Sequence, residues 1–241
     1  MTFSFSKKRA AAAVLDELPG PWDARIGCDE SGKGDYFGPL VTAAVRVDES
    51  LARQFAALGV RDSKKNSDAA NAALADRIKA LAGPERHCLT VVEPAEYNVL
   101  HARTGNLNKM LAWAHVETLG RLLEHGDCPL AVVDKFGADH FVEEALAAYG
   151  RRLGRRPDLA LRQIVRGERD LAVAAASILA RAGFVGGLKA ISVSLGYELR
   201  KGASAEVDAL AARIWREQGR ETLASAAKMH FANTKKAQAR L

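Results

Sequence analysis

Cysteine is scarce in this chain: Cys28, Cys88 and Cys128 are the only three among 241 residues. Their number is odd and none forms a C-x-x-C pair, which argues against a disulfide scaffold or a cysteine-built zinc site. They read as reduced thiols. No stretch approaches the ~20 consecutive apolar residues of a membrane span. The first residues, MTFSFSKKRAAAAVLDELPG, are basic, but their apolar run is short and interrupted by acids, so they make a poor signal peptide. The expected protein is therefore cytoplasmic, with no membrane partner. Linkers, low-complexity tracts and internal repeats are also missing. Residues 1–20 are expected to form a tail closed by Pro19-Gly20-Pro21, and residues 21–241 a single domain. No G-x-S-x-G nucleophile elbow occurs, which argues against a serine hydrolase. His115 and His140 have no partners at metal-ligand spacing.

What is present is an ordinary globular balance, 48% apolar and 27% charged, with a net charge of +6. The positive excess favours a polyanionic partner without identifying one. Arg25–Asp29 reads as a short strand running into acids. Pro39–Val47 is an apolar strand bounded by Gly38-Pro39, and residues 50–82 carry helical spacing with a break around Val60–Asn66. His87–Val92 and Leu130–Asp134 read as strands, and Ala160–Arg166 as an edge strand because polar residues interrupt it. Asn106–Glu124 has an amphipathic face of Leu107, Met110, Leu111, Ala114, Thr118 and Leu122. Leu171–Leu188 is apolar on nearly every side and reads as a buried helix. Two further helices are expected over Ala203–Glu217 and Glu221–Gln238. This order predicts a mixed α/β sheet with helices on its faces and a helical C-terminal extension. If Leu130–Asp134 lies parallel to Arg25–Asp29, then Asp29 and Asp134 both stand at carboxyl strand ends, where open α/β sheets place ligands.

Acids occur where apolar structure stops, at Asp29-Glu30, at Asp134, and at Glu168 and Asp170 ahead of the buried helix. Converging carboxylates repel one another, so a cluster calls for a cation. Hard oxygen ligands select Mg²⁺ or Mn²⁺, and two such ions can hydrolyse a phosphodiester. Taken singly, each acid reads as well as a solvated loop residue, and Asp170 as a helix N-cap. The loop Ser31-Gly32-Lys33-Gly34-Asp35-Tyr36-Phe37-Gly38-Pro39 follows directly. Its glycines allow close backbone approach to a ligand, or simply a tight turn. Gly27–Gly34 nearly matches a P-loop. However, Gly34 stands where a hydroxyl should hold Mg²⁺, and Asp29 and Glu30 would repel phosphates, so a nucleotide hydrolase is rejected. Trp22, Trp113 and Trp215 read as packing residues. His230 is expected to pack with Phe231 or face solvent.

The stretch Asp29-Glu30-Ser31-Gly32-Lys33-Gly34-Asp35-Tyr36-Phe37-Gly38-Pro39 resembles the signature of type 2 ribonucleases H, and its ending resembles ribonuclease HIII. Four further stretches agree: Arg61–Lys65, Asn106–Lys109, Val173–Arg181 and Lys228–Thr234. The resemblance covers about residues 25–237. It implies a ribonuclease H-like fold and endonucleolytic hydrolysis of the RNA strand of an RNA/DNA hybrid, leaving 5′-phosphate and 3′-hydroxyl ends. It also implies two Mg²⁺ or Mn²⁺ ions held by Asp29, Glu30, Asp134 and Glu168. Asp170 is kept as the alternative fourth acid, because the chain is one residue short before Leu171. Substrate contacts carry over to Gly32, Lys33, Gly34, Tyr36, Lys64, Lys65, Asn106 and Ser177, with the glycine loop reading ribose 2′-hydroxyls.

Relatives of the HIII type usually carry an N-terminal, TBP-like substrate-binding domain, whereas only about twenty residues precede the matching part here. The expectation is that this domain is lacking, so that basic C-terminal residues (Lys228, Lys235, Lys236, Arg240) compensate or binding is weak. A monomer is expected. The alternatives are HII-like incision at single ribonucleotides embedded in DNA, and a non-catalytic hybrid-binding module.

Overall fold

The computed structural model describes residues 24–60, 66–154 and 158–241. The expected tail, Trp22, Lys64 and Lys65 lie outside the described residues. Among the described residues five strands form one mixed sheet: β1 (Arg25–Ser31), β2 (Leu40–Val47), β3 (His87–Val92), β4 (Leu130–Asp134) and β5 (Ala160–Ile164), in the order β3-β2-β1-β4-β5. The first three make an antiparallel meander, while β4 and β5 run parallel to β1. Parallel neighbours need long crossovers. The helix α5 (His140–Leu153) supplies the one from β4 to β5, while α3 (Pro94–Thr104) and α4 (Leu107–Leu123) carry the chain from β3 past β2 and β1 to β4. The remaining described helices are α1 (Glu49–Leu58), α2 (Asp68–Ala82), α6 (Leu171–Leu195), α7 (Ala205–Gln218), α8 (Arg220–Ala226) and α9 (Ala232–Gln238).

Strand side chains alternate between faces, and the core divides accordingly. Val41, Ala43, Val45 and Val47 pack with α1, α2 and α6. Ile26, Cys28, Ala131 and Val133 pack with α4 and α5 on the other face. The sheet is thus sandwiched between two helical layers, as expected.

Helix α6 is the central support. Asp170 caps it, accepting from the backbone N–H groups of Ala172 and Val173 at 2.9 and 3.4 Å. Its far end, closed by left-handed Gly196, lies beyond the expected Leu188. With a mean hydropathy of 1.7 it is long and apolar enough to cross a membrane, contrary to the sequence expectation. Most of its apolar side chains from Leu171 to Leu188 are instead buried in the core. It meets β1 at Gly27, where a Cβ would stand 2.1 Å from the Ala172 carbonyl carbon and 2.2 Å from the Val173 nitrogen.

Three expectations need correction. Helix α3 was not anticipated, because only Pro94 and Tyr97 are buried along it and its amphipathic signal is weak. The single helix expected over Glu221–Gln238 is broken into α8 and α9. There the backbone leaves the helix so that Ala227 can bridge Phe37. Strand β5 stops at Ile164, since Arg166 adopts a left-handed conformation with φ 58°.

Gly27→Ala should therefore lower stability by roughly 3 kcal/mol through overpacking against backbone, a fall of about 6–12 °C in melting temperature. Gly186→Ala, also in α6 but with open space around its Cβ position, should be neutral or stabilising by up to about 1 kcal/mol. Thermal melts followed by circular dichroism test both. Equal melting temperatures for the two variants would refute the account.

Candidate active site

The parallel register pairs Cys28 with Val133. The next residue on each strand is an aspartate, so Asp29 and Asp134 stand side by side where the parallel pairing ends: Asp134 closes β4, while β1 runs two residues past Asp29, beyond the expected strand, to Ser31. Both lie on the α6 face, because their neighbours Cys28 and Val133 belong to the opposite core. Asp29 is only 9% exposed. Burial, then the charge of Glu30, push its carboxyl up to about 7; the Ser177 hydroxyl opposes this, and Asp134 adds further repulsion. The Glu30 N–H also donates to Asp29 Oδ1 at 2.7 Å. Asp134 Oδ1 accepts from the Gly167 N–H at 2.6 Å. A Cβ on Gly167 would press on that same oxygen at 3.0 Å, so glycine permits the close approach.

Glu30 points the other way, toward α4. Its Oε2 lies 3.0 Å from His115 Nε2, and its Oε1 lies 3.6 Å from Lys33 Nζ. Burial works to raise its pKa, but His115 and Lys33 outweigh burial and hold it below the ordinary value. Glu168 sits half-buried in a short 3₁₀ turn, Gly167–Arg169, beside Asp134. Asp170 is engaged elsewhere: one oxygen caps α6 and the other meets Arg25 Nη1 at 3.0 Å. A cleft of about 280 Å³ adjoins Glu30, with Ser31, Ser177 and Arg181 also among its walls.

Among the described residues, no three His, Cys, Asp or Glu side chains form a ready-made metal cage. The donor set nevertheless suits a divalent cation. Asp29 is a buried carboxylate repelled by two neighbouring acids, a cost that a hard cation relieves.

The expected substrate residues divide. Gly34 is exposed with open space around it, while Gly32 is buried in a left-handed conformation that packing requires. Lys33 turns back over the Phe136 ring at 5.5 Å and donates to the Phe136 carbonyl at 3.4 Å. Ser177 reaches Asp29. Tyr36 is not positioned for substrate: it is fully buried, with its hydroxyl 3.0 Å from that of Thr234. Asn106 uses its side-chain oxygen to cap α4.

Lys228 also departs from expectation. It is fully buried and donates to the carbonyls of Asp35 at 2.9 Å and Gly38 at 2.6 Å. It therefore braces the glycine loop from behind and cannot contact nucleic acid directly. Burial lowers its pKa to about 7. His230 packs edge-on to Phe231 as expected, and also stacks on His101 at 3.9 Å. His115 was missed as a site residue. The available signal was a histidine among the core-facing positions of α4, where a buried imidazole needs a partner.

Residues 26–234 match the family model described as Ribonuclease HII. The ribonuclease HIII of Protochlamydia amoebophila (strain UWE25) is 40% identical over 206 residues, which are 86% of this chain and 65% of that protein. The ribonuclease HIII of Geobacillus kaustophilus (strain HTA426) is 41% identical, over 88% of this chain and 67% of that protein. The chain thus spans about two thirds of the length of these curated relatives. Among solved structures, Bst-RNase HIII in complex with Mn²⁺ superposes with a TM-score of 0.79 at 36% identity, over 95% of this chain and 73% of that one. The ribonuclease H2 of Pyrococcus horikoshii OT3 has a TM-score of 0.74 over 90% of this chain and 98% of that one; at 19% identity it shows the shared fold alone.

The raised pKa of Asp29 has a signed consequence. The folded carboxyl binds more protons than the unfolded one between 3.8 and about 7, so its contribution to stability falls as pH rises through that window. In chelator, Asp29→Asn should be more stable than the parent protein at pH 8 by on the order of 2–4 kcal/mol, and melt correspondingly higher. The advantage should vanish toward pH 4. A melting difference independent of pH would contradict this.

Proposed function

The chain belongs to the ribonuclease HII family, and on that premise we propose that it is an endonuclease hydrolysing the RNA strand of RNA/DNA hybrids. The observation carrying this reading is the meeting of Asp29 and Asp134 just past the last register pair of two adjacent parallel strands, with Glu30 and Glu168 next to them. These four acids would hold Mg²⁺ or Mn²⁺, and the Mn²⁺ complex of Bst-RNase HIII supports a divalent ion. Bound there, two such ions would supply Lewis-acid chemistry toward a water and the leaving 3′-oxygen, and the products would carry 5′-phosphate and 3′-hydroxyl ends.

Glu168 is the fourth acid in this reading, since Asp170 is committed to α6 and Arg25. Asp134 is held in one orientation by the Gly167 N–H. Ser177 does the same for Asp29 from α6. The glycine loop would read the ribose 2′-hydroxyl, the group that separates RNA from DNA, through backbone exposed at Gly34. Lys228 keeps that loop in register from inside the protein. The family model itself carries the HII description, which favours a second reading: incision beside single ribonucleotides embedded in DNA.

Asp134→Asn should leave hybrid binding intact while cutting falls about a thousandfold or more, the equivalent of several kcal/mol of lost metal-assisted stabilisation. Cleavage of a labelled hybrid in Mg²⁺ or Mn²⁺, with filter binding in chelator, measures both. Near-normal cutting by Asp134→Asn would remove the mechanism. Digesting a long hybrid beside a duplex with one ribonucleotide separates the two substrate readings.

A further inference from the structure

We propose that His115 is a positioning residue for Glu30: a buried imidazole that holds one carboxylate oxygen so that the other faces the site. This rests on the reading of Glu30 as a metal-holding acid. Three observations carry it. The His115 side chain is 1% exposed, and its Nε2 stands 3.0 Å from Glu30 Oε2. Its ring lies flat against Phe136, with centroids 5.2 Å apart and planes 7° from parallel. Its Nδ1 is buried and has no hydrogen-bond partner among the described residues.

Together these fix the direction of the contact. An ionised carboxylate only accepts hydrogen bonds, so the proton belongs on Nε2. Nδ1 meets no acceptor among the described residues, so a hydrogen placed there would be a stranded buried donor. Phe136 prevents the ring from tilting, and it stands two residues beyond Asp134 on the same chain segment. His115 therefore ties Glu30 on β1 to the segment that carries Asp134 on β4.

The helix of His115 meets the sheet through a buried row of hydroxyls. Thr42 meets Thr118 at 2.6 Å, and Thr118 donates to Thr90 at 2.7 Å. Thr42 is the register partner of both Glu30 and Thr90. The row fastens α4 to the sheet at the level of Glu30, so the height of His115 above the strand is set by packing. The other Glu30 oxygen, 3.6 Å from the Lys33 ammonium, is the one left to meet a cation. Partners that orient a metal-holding side chain typically contribute 10–100-fold in metal affinity or activity.

The test compares His115→Gln, which retains a donor, with His115→Met, which fills similar space without one. Mn²⁺ binding to the metal-free protein is measured by calorimetry without substrate, beside kcat and KM on a labelled hybrid and the melting temperature in chelator. His115→Met should stay folded, bind Mn²⁺ about 10–100-fold more weakly and lose kcat while KM for the hybrid holds. His115→Gln should recover most of both losses. Unchanged Mn²⁺ affinity in His115→Met, or a His115→Gln no better than it, overturns the role. If His115→Met instead fails to fold, the comparison of His115→Gln with the parent decides: parental affinity supports the role, and a loss as large as 10–100-fold overturns it. A parent protein that neither binds Mn²⁺ nor cuts the hybrid would sink the metal reading first, and this inference with it.

Discussion

The parallel pairing of β1 with β4 is the constraint from which the site follows. Its register sets Cys28 against Val133, and the next residue of each strand is an acid on the α6 face. Ladder hydrogen bonds, formed for reasons of backbone geometry, thus hold two carboxylates together despite their repulsion. The arrangement also needs α6 to lie almost on the strand, which the bare Cα of Gly27 permits. From that close seat the helix brings Ser177 to Asp29, and the turn before it brings Gly167 to Asp134. Register, glycine and helix start act as one unit.

Asp29 and Glu30 are consecutive, yet their environments are opposite. Side chains along a strand alternate, so Asp29 meets α6 and a neighbouring acid, while Glu30 meets an imidazole and an ammonium. Burial dominates the first and raises its pKa. Hydrogen bonding and positive charge overcome burial at the second and lower it. Two carboxyls with differently tuned protons on one dipeptide are a consequence of pleat geometry.

The glycine loop owes its shape to the other end of the chain. Gly38 N–H bonds the Ala226 carbonyl, Lys228 N–H bonds the Tyr36 carbonyl, and Tyr36 N–H bonds the Gly202 carbonyl. The Lys228 amine crosses beneath the loop to two more carbonyls. The break between α8 and α9 exists to free this backbone. Lys228 therefore differs in kind from Lys235, Lys236 and Arg240, which stay exposed on the C-terminal surface.

Much was legible in the residues alone. Alternation and apolar runs marked all five strands, with β3 and β4 at their observed bounds, because those signals are local. The acids at strand ends and the glycine loop stood out for the same reason, and so did Asp170 as a helix cap. What the chain order could not decide was which surface each residue would meet. The burial of Tyr36 and Lys228 and the meeting of His115 with Glu30 all depend on contacts between residues 85 to 198 positions apart. A lysine or tyrosine in a basic, glycine-rich motif looks the same whether it faces solvent or the interior. Only the packing of the C-terminal helices against the β1–β2 loop, and of α4 against the sheet, settles the matter, since burial is a property of the assembled fold and not of the segment.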